Sequence, residues 1–275
     1  MKKQLNHPGS FIVRALIFLA AALTFGALLF IIFYILIKGI PHIRPELFAL
    51  HYNTENVSMF PAIVNTVITT VCSLGIAAIL GIFTAIYLVE YAKRGNKIVG
   101  LIRLTAETLS GIPSIVYGLF GMLFFVTYLE FGYSILAGAL TLSIMILPLI
   151  MRTTEEALKA VPDSYREASF GLGAGKLRTV FKVVLPSAVP GILAGVILAV
   201  GRIVGETAAL IYTAGTVAEL PEGLFSSGRT LAVHMYALSS EGLYTNQAYA
   251  TAVVLLVLVL GINTLSAYLS RRLMK

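Results

Sequence analysis

The chain has 275 residues, of which 58% are hydrophobic and 12% are charged, and its formal net charge is +7. A soluble domain carries about 25% charged residues, so this composition excludes an ordinary soluble protein and also a disordered or collagen-like chain. The single cysteine, Cys72, excludes an internal disulfide framework. Because a bilayer is crossed by about 20 apolar residues, the sequence predicts a protein with several membrane spans.

Six long apolar stretches follow one another along the chain, all of them uncharged except the fifth, which contains Arg202 and Glu206. Their lengths favour transmembrane helices over barrel strands. The first stretch is too long for the core of a signal peptide and ends at Lys38 without a cleavage site, so we expect it to be retained as a span. Residues 1–14 are predicted to be an N-terminal segment and 15–275 a single transmembrane domain. The predicted spans are 15–37, 62–89, 108–129, 133–151, 186–213 and 249–269, with a long loop over 152–182. Pro113 and Pro148 are expected to kink the third and fourth spans.

The lysine and arginine residues alternate between the two sides of these spans. Of the 20, 16 lie in the N-terminus, the second and fourth loops and the C-terminal tail, three lie in the first and fifth loops, and Arg202 lies within the fifth span. By the positive-inside rule both termini are predicted to be cytoplasmic. The net charge of +7 therefore indicates orientation, and no basic patch with interleaved aromatic residues indicates nucleic-acid binding.

Motifs for catalysis, metal binding or nucleotide binding are not found in the sequence. The four histidines are scattered through termini and loops, and no HExxH pattern or other metal-ligand cluster occurs. The run from Gly171 to Lys176 resembles a phosphate-binding loop, but its glycine spacing is one residue short and Leu177 occupies the position of the Mg²⁺-binding hydroxyl. We therefore expect no catalytic residue, metal site or cofactor in this chain, and energy for transport would come from a partner or an ion gradient.

The fourth loop has the composition of a short helix between two turns. Pro162 or Asp163 can begin a helix, and the glycines between Gly171 and Gly175 can end it. Small and apolar side chains at three-to-four residue spacing would form one face of this helix; they are Tyr165, Ala168, Ser169 and Leu172. On composition alone, the loop is either a solvated connector or a docking helix for a cytoplasmic partner.

The spacing of this loop resembles the EAA motif of ABC-importer permeases. Glu167-Ala168-Ser169 is followed after three residues by Gly173 and after nine more by Val183-Val184-Leu185-Pro186, with Ser169 and Val183 as mild departures from the motif. The resemblance implies an all-α integral membrane protein with six transmembrane helices, the type I ABC-importer permease fold and a cytoplasmic coupling helix. It implies that the ATP-binding subunit is contacted through Glu167, Ala168, Ser169, Gly173, Leu185 and Pro186. Gly173 would supply the turn, and a larger side chain there would strain it.

Two further segments resemble phosphate-importer permeases, and the second of them favours the PstA-type subunit. They are residues 107–121 and residues 201–215, and the second contains Gly205-Glu206-Thr207-Ala208 followed by Thr213-Ala214-Gly215. The resemblance implies a transmembrane subunit of an ATP-driven phosphate importer that works by alternating access in a bacterial or archaeal cytoplasmic membrane. It implies a heterodimer with a PstC-type permease subunit, a dimer of ATP-binding subunits that use ATP and Mg²⁺, an extracytoplasmic phosphate-binding protein and surrounding membrane lipid. A molybdate or sulfate importer is the alternative within this class, and an ion-driven secondary carrier, which an inverted repeat would favour, is the alternative outside it.

The predicted fifth span contains two charged residues. Arg202 and Glu206 are four residues apart, so they would share a face of a continuous helix. Charges at membrane depth are costly and line a bundle interior or a pathway. One interpretation is a structural ion pair; the other is a phosphate pathway formed by Arg202, Glu206 and Thr207, because a guanidinium fits phosphate oxygens. A second polar set, in the second span, favours contacts between helices over substrate binding; it comprises Asn65, Thr69 and Ser73.

Overall fold

The structure is a computed structural model that describes residues 8–93 and 95–273. Within those ranges every regular element is helical and no strand occurs. The predictions that concern Lys2, Lys3, Arg94 and Lys275 lie outside the described residues, and so do residues 1–7 of the predicted N-terminal segment.

The first helix, α1 (Pro8–Gly39), lies at the edge of the fold. Its apolar side chains are exposed around the whole helix, as at Phe18, which is 63% exposed. It packs on α11 (Thr245–Leu273), where the hydroxyls of Tyr34 and Tyr249 are 3.4 Å apart. A helix that is apolar on every side and uncovered on most of them requires lipid or another apolar surface around it.

The centre of the bundle is formed by α2 (Phe60–Ile86) and α5 (Ile135–Ala160). Glycine at position 81 lets the two backbones approach, because a side-chain carbon at that position would lie 3.0 Å from Ile150. The hydroxyl of Ser143 donates a hydrogen bond to the carbonyl of Ser73 across the pair at 3.1 Å. Small residues and interhelical hydrogen bonds of this kind are how helices associate where no hydrophobic driving force is available.

The polar set predicted on the second span is buried between elements. Asn65, Thr69 and Ser73 are fully buried, and Asn65 Nδ2 donates to the carbonyl of Arg229 at 3.2 Å. The predicted contact between segments is therefore made by Asn65, whereas the hydroxyl of Ser73 donates within α2 to the carbonyl of Thr69 at 2.6 Å and that of Thr69 has no hydrogen-bond partner among the described residues.

The predicted helix over 108–129 is wrong, because the third span is broken at residues 111–113. Helix α3 (Lys97–Ser110) and helix α4 (Ser114–Gly121) meet at an angle of 102°, and α4 continues as a π-helical turn over Met122–Tyr128. Pro113 is extended, with φ −59° and ψ 142°, and proline also excludes the residue before it from the helical region. The kink predicted at Pro113 is thus a complete break, whereas α5 passes through Pro148 without interruption.

The long loop predicted over 152–182 is mostly helical. Helix α5 extends to Ala160, nine residues beyond the predicted end of the fourth span, and after two residues α6 (Asp163–Gly171) begins. Helix α7 (Lys176–Thr179) then passes through a π-helical turn, Val180–Val184, into α8 (Leu185–Val204). Charged residues at the end of α5 do not stop the helix, and the side chains of Arg152 and Glu156 pair along its surface at 3.2 Å.

The predicted helix over 186–213 is also wrong at its C-terminal end. Helix α8 stops at Val204, residues 205–207 are not helical, and a short helix α9 (Ala208–Ile211) follows. The backbone N–H of Glu206 bonds to the carbonyl of Ile203 at 3.1 Å, a tightened last turn that ends α8. The chain then crosses to α10 (Leu231–Glu241) and to α11, which begins at Thr245 and not at 249 as predicted.

Five helices of the described residues are long and apolar enough to cross a membrane, or six if the bent pair α3–α4 counts as one span. The bundle has two distinct ends. Helices α6 and α7 lie at one of them, which we name the α6 end. The loop after α1, the turn at 129–134 and the segments around α10 lie at the other, which we name the far end; there Ser134 N–H bonds to the carbonyl of Thr213 at 3.0 Å.

Candidate functional site

The helix α6 begins directly after a proline and ends in a turn formed by a glycine. Pro162 is extended, and Asp163 lies in the first turn, where a carboxylate interacts favourably with the helix dipole. After α6, the N–H groups of Gly173 and Ala174 bond to the carbonyls of Phe170 and Ser169 at 2.9 and 3.1 Å. Gly173 has φ +78°, the left-handed conformation that ends helices in this way.

The residues predicted to contact a partner divide into an exposed group and a buried one. Glu167 and Ala168 are exposed on α6, and Leu172 just after it is 89% exposed. Ser169 instead is buried, and its hydroxyl lies 2.9 Å from that of Thr179 in α7. The structure therefore removes Ser169 from the exposed face predicted for α6 and gives it a contact within the chain. At the start of α8, Leu185 is half-buried and Pro186 is exposed.

Arg202 lines a cavity of about 720 Å³ that lies toward the α6 end. The other charged side chains of the cavity form ion pairs with one another. Glu155 Oε1 lies 2.7 Å from Arg103 Nη2 and 2.6 Å from Lys159 Nζ. This cavity could not be predicted from the sequence, because its charged residues come from three helices distant in the chain. Its charged lining residues are Arg103, Glu107, Arg152, Glu155, Glu156, Lys159 and Arg202.

Glu206 does not lie on the same helix as Arg202, so the shared face predicted for the two residues is wrong. The side chain of Glu206 is 8% exposed, and its Oε1 accepts a hydrogen bond from the N–H of Ala209 at 3.1 Å. Among the described residues no ion pair joins it to Arg202. Glu206 thus stabilises the start of α9, where free N–H groups and the helix dipole favour a carboxylate.

Thr207 lines a second cavity, of about 630 Å³, toward the far end. This cavity is mainly apolar and lies between α1, α4, α9, α10 and α11; Tyr212, Tyr236 and Tyr249 contribute to its wall. The three residues predicted for one pathway are therefore not side by side. Arg202 faces the first cavity, Thr207 faces the second, and Glu206 lies in the helix break between them.

Sequence reasoning missed a buried contact at the α6 end between Arg166 and Glu90. The two side chains are 14% and 7% exposed, and Arg166 Nη2 lies 2.7 Å from Glu90 Oε1. They are 76 residues apart in the chain. The available signal was a glutamate that directly ends an apolar run and an arginine directly before the EAA-like residues, but no spacing rule connects the two.

A buried basic pair lies at the far end, outside the candidate spans. His234 in α10 is 1% exposed, and its Nε2 has no hydrogen-bond partner among the described residues. Burial, and then the positive charge of Arg229, lower the pKa of His234 to about 3. Arg229 stacks over the ring of Tyr52, with its guanidinium carbon 4.8 Å from the ring centre. His234 is therefore neutral at ordinary pH.

A chain that crosses the bilayer several times and opens a cavity toward each end has the construction of a membrane transport subunit. Residues 77–275 match the family described as binding-protein-dependent transport system inner membrane component, and the chain belongs to that family. Its fold is accordingly the type I ABC-importer permease fold.

Curated relatives and solved structures agree with this assignment. The chain is 39% identical over 212 residues to the probable ABC transporter permease protein YqgI of Bacillus subtilis (strain 168), which covers 71% of this chain and 72% of that protein. It is 37% identical over 218 residues to the phosphate transport system permease protein PstA 2 of Mycobacterium bovis, covering 77% and 72%. A chain of the bacterial alginate ABC transporter superposes with a TM-score of 0.72 over 96% of both chains at 14% identity, which is a likeness of fold alone.

Proposed function

We propose that this chain is the PstA-type transmembrane subunit of an ATP-driven importer of inorganic phosphate and forms half of its translocation pathway. The substrate class is supported by relatives that are named as phosphate transport permeases and are more than 30% identical to this chain. The partners are a PstC-type permease subunit, two ATP-binding subunits and an extracytoplasmic phosphate-binding protein. ATP and Mg²⁺ act in the ATP-binding subunits, since the sequence offers no nucleotide site of its own.

The α6 end is the cytoplasmic side of a bacterial or archaeal cytoplasmic membrane in this proposal, and both termini are cytoplasmic. The positive-inside rule supports the assignment, because the second and fourth predicted loops, which contain most of the lysines and arginines between the spans, lie at this end. The exposed residues Glu167, Ala168 and Leu172 then face the ATP-binding subunit. The far end, with α10 and the loop after α1, faces the phosphate-binding protein.

The observation that carries the proposed mechanism is the helix break between two cavities. Arg202 faces the cytoplasmic cavity and Thr207 faces the outer one, while residues 205–207 separate them. Alternating access requires a partition that opens to one side at a time, and a break between α8 and α9 lets the two helices shift separately. Phosphate would pass this partition, with the guanidinium of Arg202 binding its oxygens on the cytoplasmic side.

The charges around the cytoplasmic cavity suit a transient anion site. Four bases and three acids line it, and Glu155 is held by both Arg103 and Lys159. The acids offset most of the positive charge, so that a phosphate dianion is attracted without being trapped. Arg202 has no carboxylate within ion-pair distance among the described residues, and its guanidinium remains available to the substrate.

The decisive experiment is uptake by the reconstituted complex. This chain is expressed with its second permease subunit and ATP-binding subunit, placed in vesicles that enclose ATP, and supplied outside with the phosphate-binding protein and labelled phosphate. We expect uptake that depends on ATP, is inhibited by arsenate, and is unaffected by excess sulfate or molybdate. If sulfate or molybdate were taken up instead of phosphate, the substrate would be that oxyanion. If uptake continued without ATP and stopped when an ionophore was added, the protein would be an ion-driven carrier.

Two arginine variants distinguish a role of Arg202 in the pathway from a general loss of folding or assembly. Arg202→Gln removes the guanidinium from the cavity, while Arg14→Gln removes one from the exposed face of α1. We expect the first variant to assemble and to lose most of its uptake, and the second to retain it. Equal uptake by the two variants would remove Arg202 from the pathway.

A further inference from the structure

A guanidinium buried beneath α6 joins this helix to the end of α2. Arg166 lies in the second turn of α6, and its side chain is only 14% exposed. Its Nη2 and Nε donate to Glu90 Oε1 at 2.7 and 3.2 Å. Glu90 lies in the π-helical turn Tyr87–Tyr91 that ends α2, and π-helical turns are frequent at functional sites.

The same guanidinium also holds the end of α5. Nη2 donates to the carbonyl of Leu158 at 2.9 Å, and Nη1 donates to the carbonyl of Val161 at 2.8 Å. The carbonyl of Leu158 also accepts the N–H of Val161 at 3.4 Å, so Arg166 adds a second and shorter bond there. The carbonyl of Val161, which directly follows α5, is bonded by Arg166 at the place where a helix end needs partners from outside the helix. A weaker contact within α6 completes the set, because Nη1 lies 3.1 Å from the exposed carboxylate of Asp163. One planar side chain therefore joins α6, α2 and α5, and we name this contact set, Arg166 with Glu90, Leu158 and Val161, the Arg166 junction.

The Arg166 junction adds contacts with α2 and α5 to the covalent connections of α6. On one side the chain between α5 and α6 consists of Val161 and Pro162, and on the other side α6 ends in the turn at Gly173. The buried contact between the hydroxyls of Ser169 and Thr179, 2.9 Å apart, connects α6 to α7. Among the described residues, the side-chain hydrogen bonds that α6 makes to the turn that ends α2 and to the end of α5 are those of Arg166.

The geometry points to Arg166 and Glu90 as positioning residues of energy coupling: the Arg166 junction makes α6 move as one body with α2 and α5. This inference rests on the proposed function, since it concerns how movement imposed on α6 reaches the pathway. A charge-assisted bidentate pair fixes both distance and angle, and lysine cannot replace the planar fork. From α2 and α5 the displacement passes to α8, which packs on α5 and carries Arg202.

The test compares transport with ATP consumption in the reconstituted complex. Glu90→Gln removes the buried carboxylate, and Arg166→Lys keeps a positive charge for Glu90 but loses the fork. We expect both variants to assemble and hydrolyse ATP, while phosphate transported per ATP hydrolysed falls about tenfold, the order of effect of one charge-assisted hydrogen bond. Asp163→Asn is the matched control, because it removes an exposed carboxylate from the same guanidinium and exposed ion pairs contribute little.

The ratio of phosphate to ATP distinguishes coupling from structural support. A residue that only supported the fold would lower complex yield, ATP hydrolysis and uptake together and leave the ratio unchanged. A ratio within about twofold of the unsubstituted complex, loss of assembly in both variants, or an equal fall in Asp163→Asn would each overturn the inference. The proposed function fails separately, through absence of ATP-dependent phosphate uptake in the unsubstituted complex.

Discussion

The turn at Gly173 allows a prediction in which steric volume and backbone conformation are separated. A side-chain carbon added at Gly173 would meet no atom within 4 Å, so space does not limit substitution. The backbone does, because φ is +78° and L-residues other than glycine are disfavoured there. The expected penalty for alanine is about 1–2 kcal/mol, which corresponds to about a 5- to 30-fold change in a population ratio.

The expected series at this position follows the tolerance of each side chain for left-handed backbone. Gly173→Asn should be mildest, because asparagine enters this conformation several times more readily than most residues. Gly173→Ala should reduce uptake by up to about 30-fold, and Gly173→Val should reduce it further since β-branched residues are strained there. The measurement is ATP-driven phosphate uptake at equal amounts of assembled complex.

Gly175 provides the matched control for this series. It also has no atom within 4 Å of an added side-chain carbon, but its φ of −73° and ψ of 163° are open to any residue. Gly175→Ala should therefore transport at the rate of the unsubstituted complex. Equal losses at both glycines, or equal uptake by the asparagine, alanine and valine variants, would refute the argument that the backbone turn presents α6.

Three further predictions concern charge, topology and pH. The changes in the free energy of unfolding in detergent caused by Arg202→Gln and Glu206→Gln should add within about 0.5 kcal/mol, because no ion pair joins the two residues. A double variant that is more stable than this sum would show that the two residues form a pair. In a cysteine-free background, Lys97→Cys should react only with thiol reagents that reach the cytoplasm, and Glu222→Cys should react with impermeant thiol reagents added outside. The reverse pattern of labelling would show that the orientation is inverted. Because the pKa of His234 is lowered to about 3 from 6.5, its contribution to stability is complete above pH 6.5 and declines as the pH falls; about 2 kcal/mol should be lost by pH 5. Thermal unfolding between pH 5 and 8 tests this, and His234→Gln should show a smaller slope than the unsubstituted protein.

Several features of the fold could be predicted from local sequence because their causes are local. An apolar run of sufficient length crosses a bilayer whatever surrounds it, so the approximate positions of the spans follow from composition. The extent of α6 was equally accessible, since Pro162 and the glycine turn at Gly173 act on their own neighbours. The polar residues of α2 at helical spacing also identified a buried face before any partner was known.

The interruptions of the helices depended on the tertiary structure. The run through 186–213 is apolar enough for one span, but α8 stops at Val204, and the carboxylate of Glu206 accepts the N–H of Ala209 at the start of α9. The proline at 113 indicated a kink, but the angle is 102°, and the hydroxyl of Tyr117 in α4 donates to the carbonyl of Leu109 in α3 across it at 2.7 Å. Helix α4 also packs on α5 and α9, which are remote in the chain. Helix propensity thus indicates where a helix is least stable, and the packing of neighbouring helices decides whether the helix bends or ends there.

The sequence alone therefore determined that this chain spans a membrane and that Glu167, Ala168 and Gly173 belong to an exposed helix and its turn. Only the tertiary structure separated Arg202 from Glu206, buried Ser169 against Thr179, and brought Arg166 to Glu90 across 76 residues. The physical reason is the range of each effect. Transfer from water to lipid acts on each residue by itself, whereas ion pairs and cavities require side chains whose distance is set by the packing of helices remote in the chain.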